Sequence, residues 1–249
     1  MRLVSANVNG IRAAVRRGGL GWLAAQDADV ICLQEVRATD EQQVGALGDT
    51  FDGWHLAHRP SAVRAGHAGV AILTREPHEA GEDLGCADDE GRWVAVRVGD
   101  LEIASVYVHT GQADTPAQDD KHRFLDAMGK WMEQRPRALV CGDLNVAHSQ
   151  ADIKNWKGNI GKAGFLESER AYLSHWYDEL GWVDLGRDAG YTWWSWRGKA
   201  FDNDAGWRID CVLAGPEAPT CAEFAVGRAP TYAQRWSDHA PVRADFDLS

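Results

Sequence analysis

The stretch CGDLNVAHSQADIKNWKGN occupies residues 141–159. It opens as the end of a buried strand, with the apolar run Ala138–Cys141 leading through Gly142 into Asp143. Asp143 and Asn145 then stand two residues apart, with Leu144 between them. Side chains alternate across an extended segment. Leu144 therefore points to the core, and the two polar groups point together into a site. Lys154, Asn155, Lys157 and Asn159 follow in the next loop, which makes it basic and rich in amides.

Similar apolar runs predict strands at Leu3–Asn7, Val30–Gln34, Gly69–Thr74, Trp93–Val98, Ile103–His109, Thr192–Ser195, Arg208–Leu213 and Ala240–Phe246, besides Ala138–Asp143. The clearest helix runs from Asp119 to Gln134, where Phe124, Leu125, Met128, Trp131 and Met132 form one apolar face before Pro136 stops it. Weaker helices are predicted over Ile11–Gln26 and Ser168–Leu180. The strands do not strictly alternate with helices. This favours mixed sheets, and so a layered α/β sandwich over a doubly wound parallel sheet. No Gly/Ser/Pro-rich linker or short repeat interrupts the 249 residues, so one domain is expected over 1–249.

Hydrophobic residues make up 45% and charged residues 25%, the balance of an ordinary globular protein. No apolar run approaches the ~20 residues of a membrane span, and MRLVSANVNG shows no basic leader with a long apolar stretch. Cys32, Cys141 and Cys211 lie in apolar runs without C-x-x-C spacing, which predicts buried reduced thiols in a cytoplasmic protein. A net charge of −11 argues against indiscriminate phosphate binding. Yet the basic residues gather in RAAVRRG (Arg12, Arg16, Arg17), in DIKNWKGNIGK and in WRGK, apart from the acidic clusters.

Polar groups recur where the predicted strands end: Asn7 and Asn9, Glu35, Tyr107 and His109, Asp143 and Asn145, then Asp238 and His239 before the last strand. Loops leaving a rigid scaffold are the usual seat of catalytic groups. Asp210 sits between Ile209 and Cys211 inside an apolar strand, where a carboxylate is costly to bury without a partner. A histidine or a metal would serve. Oxygen donors from Glu, Asp and Asn suit a hard cation such as Mg²⁺. A buried Asp beside a His makes an orienting pair, and a second Asp can position an attacking water. Together these are the means for metal-assisted phosphodiester hydrolysis. H-E-x-x-H spacing is absent, which disfavours zinc.

The segments NVNGIRA, LQEVR, GDLNVAHSQADIKNWKGN, AGFLESER, YTWWSW, FDNDAGWRID and WSDHAPV, in that order along nearly the whole chain, resemble the exonuclease III family of DNA-repair nucleases. That family belongs to the exonuclease–endonuclease–phosphatase superfamily. The resemblance implies a four-layer α/β sandwich, with two mixed β-sheets packed face to face and helices outside. It also implies Mg²⁺-dependent cleavage at abasic sites and 3′ ends of duplex DNA, with Mn²⁺ expected to substitute; a monomer is expected, with no obligate protein partner evident in the sequence. Carried over by motif, Glu35 is the main metal ligand, with Asn7 nearby and Asp238 a second-site ligand. Asp143 orients or deprotonates the water, and Asn145 holds that water or the phosphate. Asp210 pairs with His239, which stabilises the scissile phosphate, and Tyr107 hydrogen-bonds it. The general base stays open among Asp143, His239 and a Tyr107 phenolate.

Two residues depart from the pattern. Where the family commonly has Tyr-x-Pro-Asn-Gly, this chain has YVHTG, so His109 replaces a Pro and Thr110 replaces a phosphate-contacting Asn. Weaker substrate positioning is expected from the change. Lys162 stands where some relatives carry Asn. Lys154, Asn155, Lys157, Asn159, Lys162 and Arg12 are the expected contacts to the DNA backbone, which position DNA without reading its sequence. Trp193, Trp207 and Ile209 are implied to line a pocket for an extruded abasic sugar. The competing readings are a superfamily phosphodiesterase or phosphatase acting on phospholipid or inositol phosphate, and a noncatalytic DNA-binding module.

Overall fold

The computed structural model describes residues 1–86 and 89–247. Among them, twelve strands form two mixed six-stranded sheets. The strands of the first are β1 (Arg2–Asn7), β2 (Val30–Gln34), β3 (His55–Arg59), β4 (Val70–Thr74), β11 (Cys221–Val226) and β12 (Val242–Phe246), in the order β11-β12-β1-β2-β4-β3. The second holds β5 (Glu79–Ala80), β6 (Trp93–Val98), β7 (Leu101–Tyr107), β8 (Ala138–Asp143), β9 (Val183–Asp184) and β10 (Asp210–Ala214), ordered β5-β6-β7-β8-β10-β9.

Period-2 alternation builds the layers. Val30 and Cys32 of β2 pack with Leu139 and Cys141 of β8 and Val212 of β10, forming the core between the sheets. Ile31 and Leu33, which point the other way, pack against Ile11, Ala14, Leu23 and Leu47 from α1 (Ile11–Arg16), α2 (Gly19–Ala24) and α3 (Asp40–Leu47). On the far side, Val140 and Leu213 meet Phe124, Met128 and Trp176 of α4 (Pro116–Glu133) and α5 (Glu167–Asp178). The result is the expected four-layer α/β sandwich. Its central strands read as unbroken apolar runs because both faces are buried. Among the described residues, no helix is long and apolar enough to cross a membrane.

Several sequence expectations are corrected. The helix predicted over Ile11–Gln26 is two short helices, because Gly18 turns into the left-handed region at φ +90°. The helix predicted from Asp119 begins three residues earlier, at Pro116, since proline suits a first helical position. Thr192–Ser195 is not a strand. Trp193 makes single bridges to Trp207 and His239, and the Thr192 hydroxyl accepts the Ile209 and Asp210 amides at 3.1 and 3.0 Å in place of a ladder. The strand predicted over Ile103–His109 ends at Tyr107, and β10 starts at Asp210 because the Arg208 amide goes to the Asp152 carbonyl.

Strand direction sets the site. β1 runs parallel to β2, and β7 parallel to β8, so Asn7, Glu35, Tyr107 and Asp143 emerge at carboxyl ends. β10 is antiparallel to β8, with Asp210 opposite Asp143, and β12 is antiparallel to β1. Asp210 and the residues leading into β12 therefore arrive at the same edge of the sandwich.

Candidate active site

A cleft of about 340 Å³ opens at that edge, within the range of small-molecule sites. Its walls include Asn9, Glu35, Arg37, Tyr107, Thr110, Asp143, Asn145, Trp193, Trp207, Ile209, Asp238 and His239. Gly142, just before Asp143, has no room for a side chain, because a Cβ there would collide with the Val106 carbonyl. Gly164 sits at φ +85°, and a Cβ would stand 2.9 Å from the Trp207 ring.

Asp143 is buried, and both its oxygens are held. Oδ1 accepts the Asn145 amide at 2.9 Å, and Oδ2 accepts Asn7 Nδ2 at 3.0 Å. The same Oδ2 lies 3.8 Å from His239 Nε2. The segment is not extended through Asn145 as the sequence suggests. Asn145 has φ +49°, and its side-chain amide donates to the Val108 carbonyl at 2.8 Å. Asp143 thus closes an Asx turn and still faces the cleft. His239 Nδ1 meets Asp210 Oδ2 at 2.9 Å, forming the expected orienting pair. The Tyr107 hydroxyl donates to Glu35 Oε1, and Arg37 Nη2 donates to Glu35 Oε2 at 2.9 Å. Asp238 accepts Asn9 Nδ2 at 2.6 Å and Trp193 Nε1 at 3.2 Å.

These environments separate the titrating groups. Burial raises Asp143 to about 7, with the Asp210 and Glu35 charges adding to it and His239 and the Asn145 amide opposing. Burial alone would depress His239, but the Asp210 carboxylate overcomes it and lifts the imidazole to about 10. Burial, then the Glu35 and Asp143 charges, push the Tyr107 phenol up, so it stays protonated.

Backbone strain marks the cleft. Nine non-glycine residues have positive φ among the described residues, and four of them, Asn9, Glu35, Arg37 and Asn145, line this one cleft. Such conformations cluster at functional sites.

Among the described residues of the cleft, two groupings could hold a cation. Ligand atoms of Asp143, Asp210 and His239 lie within 4.8 Å of one another. His239, however, is held protonated against Asp210, and a protonated imidazole is no ligand. The carboxylates of Glu35 and Asp238 line the same cleft with Asp143 and offer only oxygen, which fits a hard divalent ion better.

Not every expected residue reaches the cleft. Asn7 lies behind it against Asp143, and Asn9 lines the wall instead. Lys154, Asn155, Lys157, Asn159, Lys162 and Arg12 are not on the wall. The Lys/Asn loop adjoins it through Ala163 and Gly164, and through the Ile153–Trp207 bridge. Asn9 stands among the strand-end polar groups of the sequence without an assigned role, and Arg37 is not among them. The only signal for Arg37 was its place two residues after Glu35.

Residues 4–239 match the family model described as the endonuclease/exonuclease/phosphatase family, and the chain belongs to that family. It is 33% identical over 261 aligned positions to an exodeoxyribonuclease of Bacillus subtilis, with 100% of both chains covered. It is 28% identical over 272 positions to exodeoxyribonuclease III of Haemophilus influenzae, covering 99% of this chain and 100% of the relative. Among solved structures, an AP endonuclease from Archaeoglobus fulgidus superposes with a TM-score of 0.85 at 25% identity, over 100% of both chains. A 3′ phosphatase from Neisseria bound to a product DNA hairpin gives 0.84 at 27% identity, again over 100% of both.

Proposed function

We propose that the chain, acting as one nuclease domain, is a DNA-repair phosphodiesterase that cuts duplex DNA on the 5′ side of abasic sites and removes groups from 3′ ends. The observation that carries this is the junction, within one cleft, of Asp143 and His239, the latter backed by Asp210, with the aromatic wall of Trp193 and Trp207. Phospholipid or inositol phosphate substrates give no reason for two tryptophans and Ile209 beside the reacting groups.

Asp143 is the base. Of the three groups left open by the sequence, it is the one that loses its proton near neutral pH and can then accept one, since His239 and Tyr107 both stay protonated there. The Asn145 amide and Asn7 Nδ2 fix the carboxylate, so a water on its free lone pair is already aimed. His239, cationic and locked through Nδ1, presents Nε2–H to a phosphate oxygen as negative charge develops there. Asp210 keeps the tautomer and the charge. Tyr107 and Thr110 also line the cleft, where they would face the same phosphate. Glu35 and Asp238 would hold Mg²⁺ or Mn²⁺, which supplies Lewis-acid stabilisation of the phosphoryl oxygens. An abasic sugar enters between Trp193, Trp207 and Ile209, where extrusion costs least because no base is stacked.

The test is a duplex carrying one abasic site. It is expected to be nicked 5′ of the lesion with Mg²⁺ and left intact in excess chelator. Full cutting in chelator removes the metal from the proposal, and no cutting with any divalent ion removes the nuclease. Trp207→Ala is expected to lower abasic-site cleavage roughly ten- to a hundredfold, the worth of one large apolar contact, and to lower release of normal 3′ nucleotides much less. The Trp207 backbone bridge to Trp193 survives the substitution. Equal losses in the two assays assign Trp207 to the core.

A further inference from the structure

One buried charge has no part in the chemistry above. Lys121 lies on the apolar face of α4, in step with Phe124, Leu125, Met128 and Met132, and its side chain is 0% exposed. Its ammonium has three N–H groups and three acceptors: Glu169 Oε1 at 2.7 Å, the Asn145 carbonyl at 2.8 Å and the Thr110 carbonyl at 3.2 Å. Glu169, on α5, is equally buried, and its carboxylate also accepts Gln118 Nε2 at 2.9 Å and the Leu166 amide at 3.0 Å.

A buried ion pair is weak evidence for stability, since a well-packed apolar pair of similar size often does as well. What an apolar pair cannot supply is a hold on two carbonyls. Those carbonyls belong to different loops. Thr110 follows β7 and Asn145 follows β8, and both residues line the cleft. Asn145 also sits in the strained left-handed region, at φ +49°. Such a conformation persists only where surrounding contacts over-determine it. The Lys121 ammonium is one of those contacts, and the only one that joins Asn145 to Thr110 among the hydrogen bonds described above.

We propose that Lys121 is a positioning residue: its ammonium ties the carbonyls of Thr110 and Asn145 together behind the cleft and so sets the spacing of the two side chains that flank the substrate phosphate. Glu169 balances the charge and anchors the clamp to α5. Thr110 is held through its backbone, so its place is fixed even though its side chain departs from the family pattern. The proposal rests on the nuclease reading for its consequence, but the clamp itself is independent of the reaction.

Lys121→Met alone leaves Glu169 unpaired and risks misfolding. The variant to make is Lys121→Met with Glu169→Gln, which removes both charges at similar volume. Amide hydrogen exchange in the protein without DNA is expected to rise at least tenfold, together, in the segments 108–112 and 144–147, with α4, α5 and the central strands unchanged. Unchanged protection in both segments overturns the clamp, whatever the protein's reaction. In single-turnover cleavage of abasic duplex, the paired substitution is expected to lower the rate about 10- to 100-fold, the scale of a small misplacement of reacting groups, with DNA affinity in Ca²⁺ within a few-fold of the parent. In an Asn145→Ala background the same pair should cost less than threefold further. An equal cost in both backgrounds makes Lys121 and Glu169 a core pair only and sinks the proposal. If the parent protein cuts no DNA, the nuclease reading falls and the exchange measurement alone decides the clamp.

Discussion

Asp143→Asn is expected to fold, to bind abasic duplex at least as tightly as the parent, and to lose about 10²–10⁴-fold in cleavage rate, the usual worth of a positioned general base. The carboxylate is buried with one formal charge that burial disfavours, so the neutral amide relieves a desolvation cost. It cannot keep every hydrogen bond. Oδ2 accepts from Asn7 Nδ2, and an amide nitrogen in its place would set donor against donor. Asn7 cannot simply flip, because its Oδ1 accepts the Asn9 amide at 3.0 Å. The loss is about 1 kcal/mol, the net worth of one such bond, and the two effects oppose each other. Affinity should hold or improve, since a negative charge facing phosphate is gone. The measurement is a binding titration in non-cleaving Ca²⁺ beside single-turnover cleavage in Mg²⁺. A rate within a few-fold of the parent would leave Asp143 as a turn residue and nothing more.

What the sequence showed of the fold depended on burial. β2, β4, β8 and β10 are buried on both faces, so their residues are almost wholly apolar and stand out as runs. β3, reading HLAHR with exposed ends, lies at the edge of its sheet, and its residues resemble a loop. β11 is another partly exposed edge strand, and it carries a register shift between Cys221 and Glu223. Neither has a pattern to read, because none of their residues is fully buried. The same physics governs the site. Asp210 and His239 were legible as polar groups against an apolar background. Arg37 and Lys121 were not, since a cation in a sequence looks solvated until its partner, Glu35 or Glu169, is placed beside it. Alternation could not choose between Asn7 and Asn9 either. Asn9 turns left-handed at φ +45°, which ends the two-residue period.

Asp210→Asn tests the other half of the cluster and is expected to change the pH dependence as well as the rate. In the parent, Asp210 counters the burial that would otherwise depress His239 and raises it to about 10. The imidazole is therefore cationic at neutral pH and loses its proton only as pH rises through about 10. Activity that needs His239 protonated and Asp143 ionised then has an ascending limb set by Asp143, at about 7 before any cation binds, and a descending limb near 10. A divalent ion among the carboxylates favours the ionised form and moves the ascending limb lower. In Asp210→Asn the strongest raising partner is gone while Asp143 and Asp238 still raise the imidazole, so burial weighs more and His239 loses its proton at lower pH than in the parent. A smaller fraction of the protein then presents a charged Nε2–H to the phosphate, and the imidazole is no longer locked through Nδ1 to a carboxylate. The expected loss at pH 7.5 is about 10²–10³-fold, the worth of one pre-aimed donor at a developing oxyanion. The descending limb should move down, leaving residual activity that grows as pH falls toward the ascending limb. Single-turnover rates across pH 5–10 with saturating Mg²⁺ measure both. A variant whose descending limb stays where the parent's is would mean that Asp210 does not set the His239 charge, and the pairing at 2.9 Å would then be packing alone.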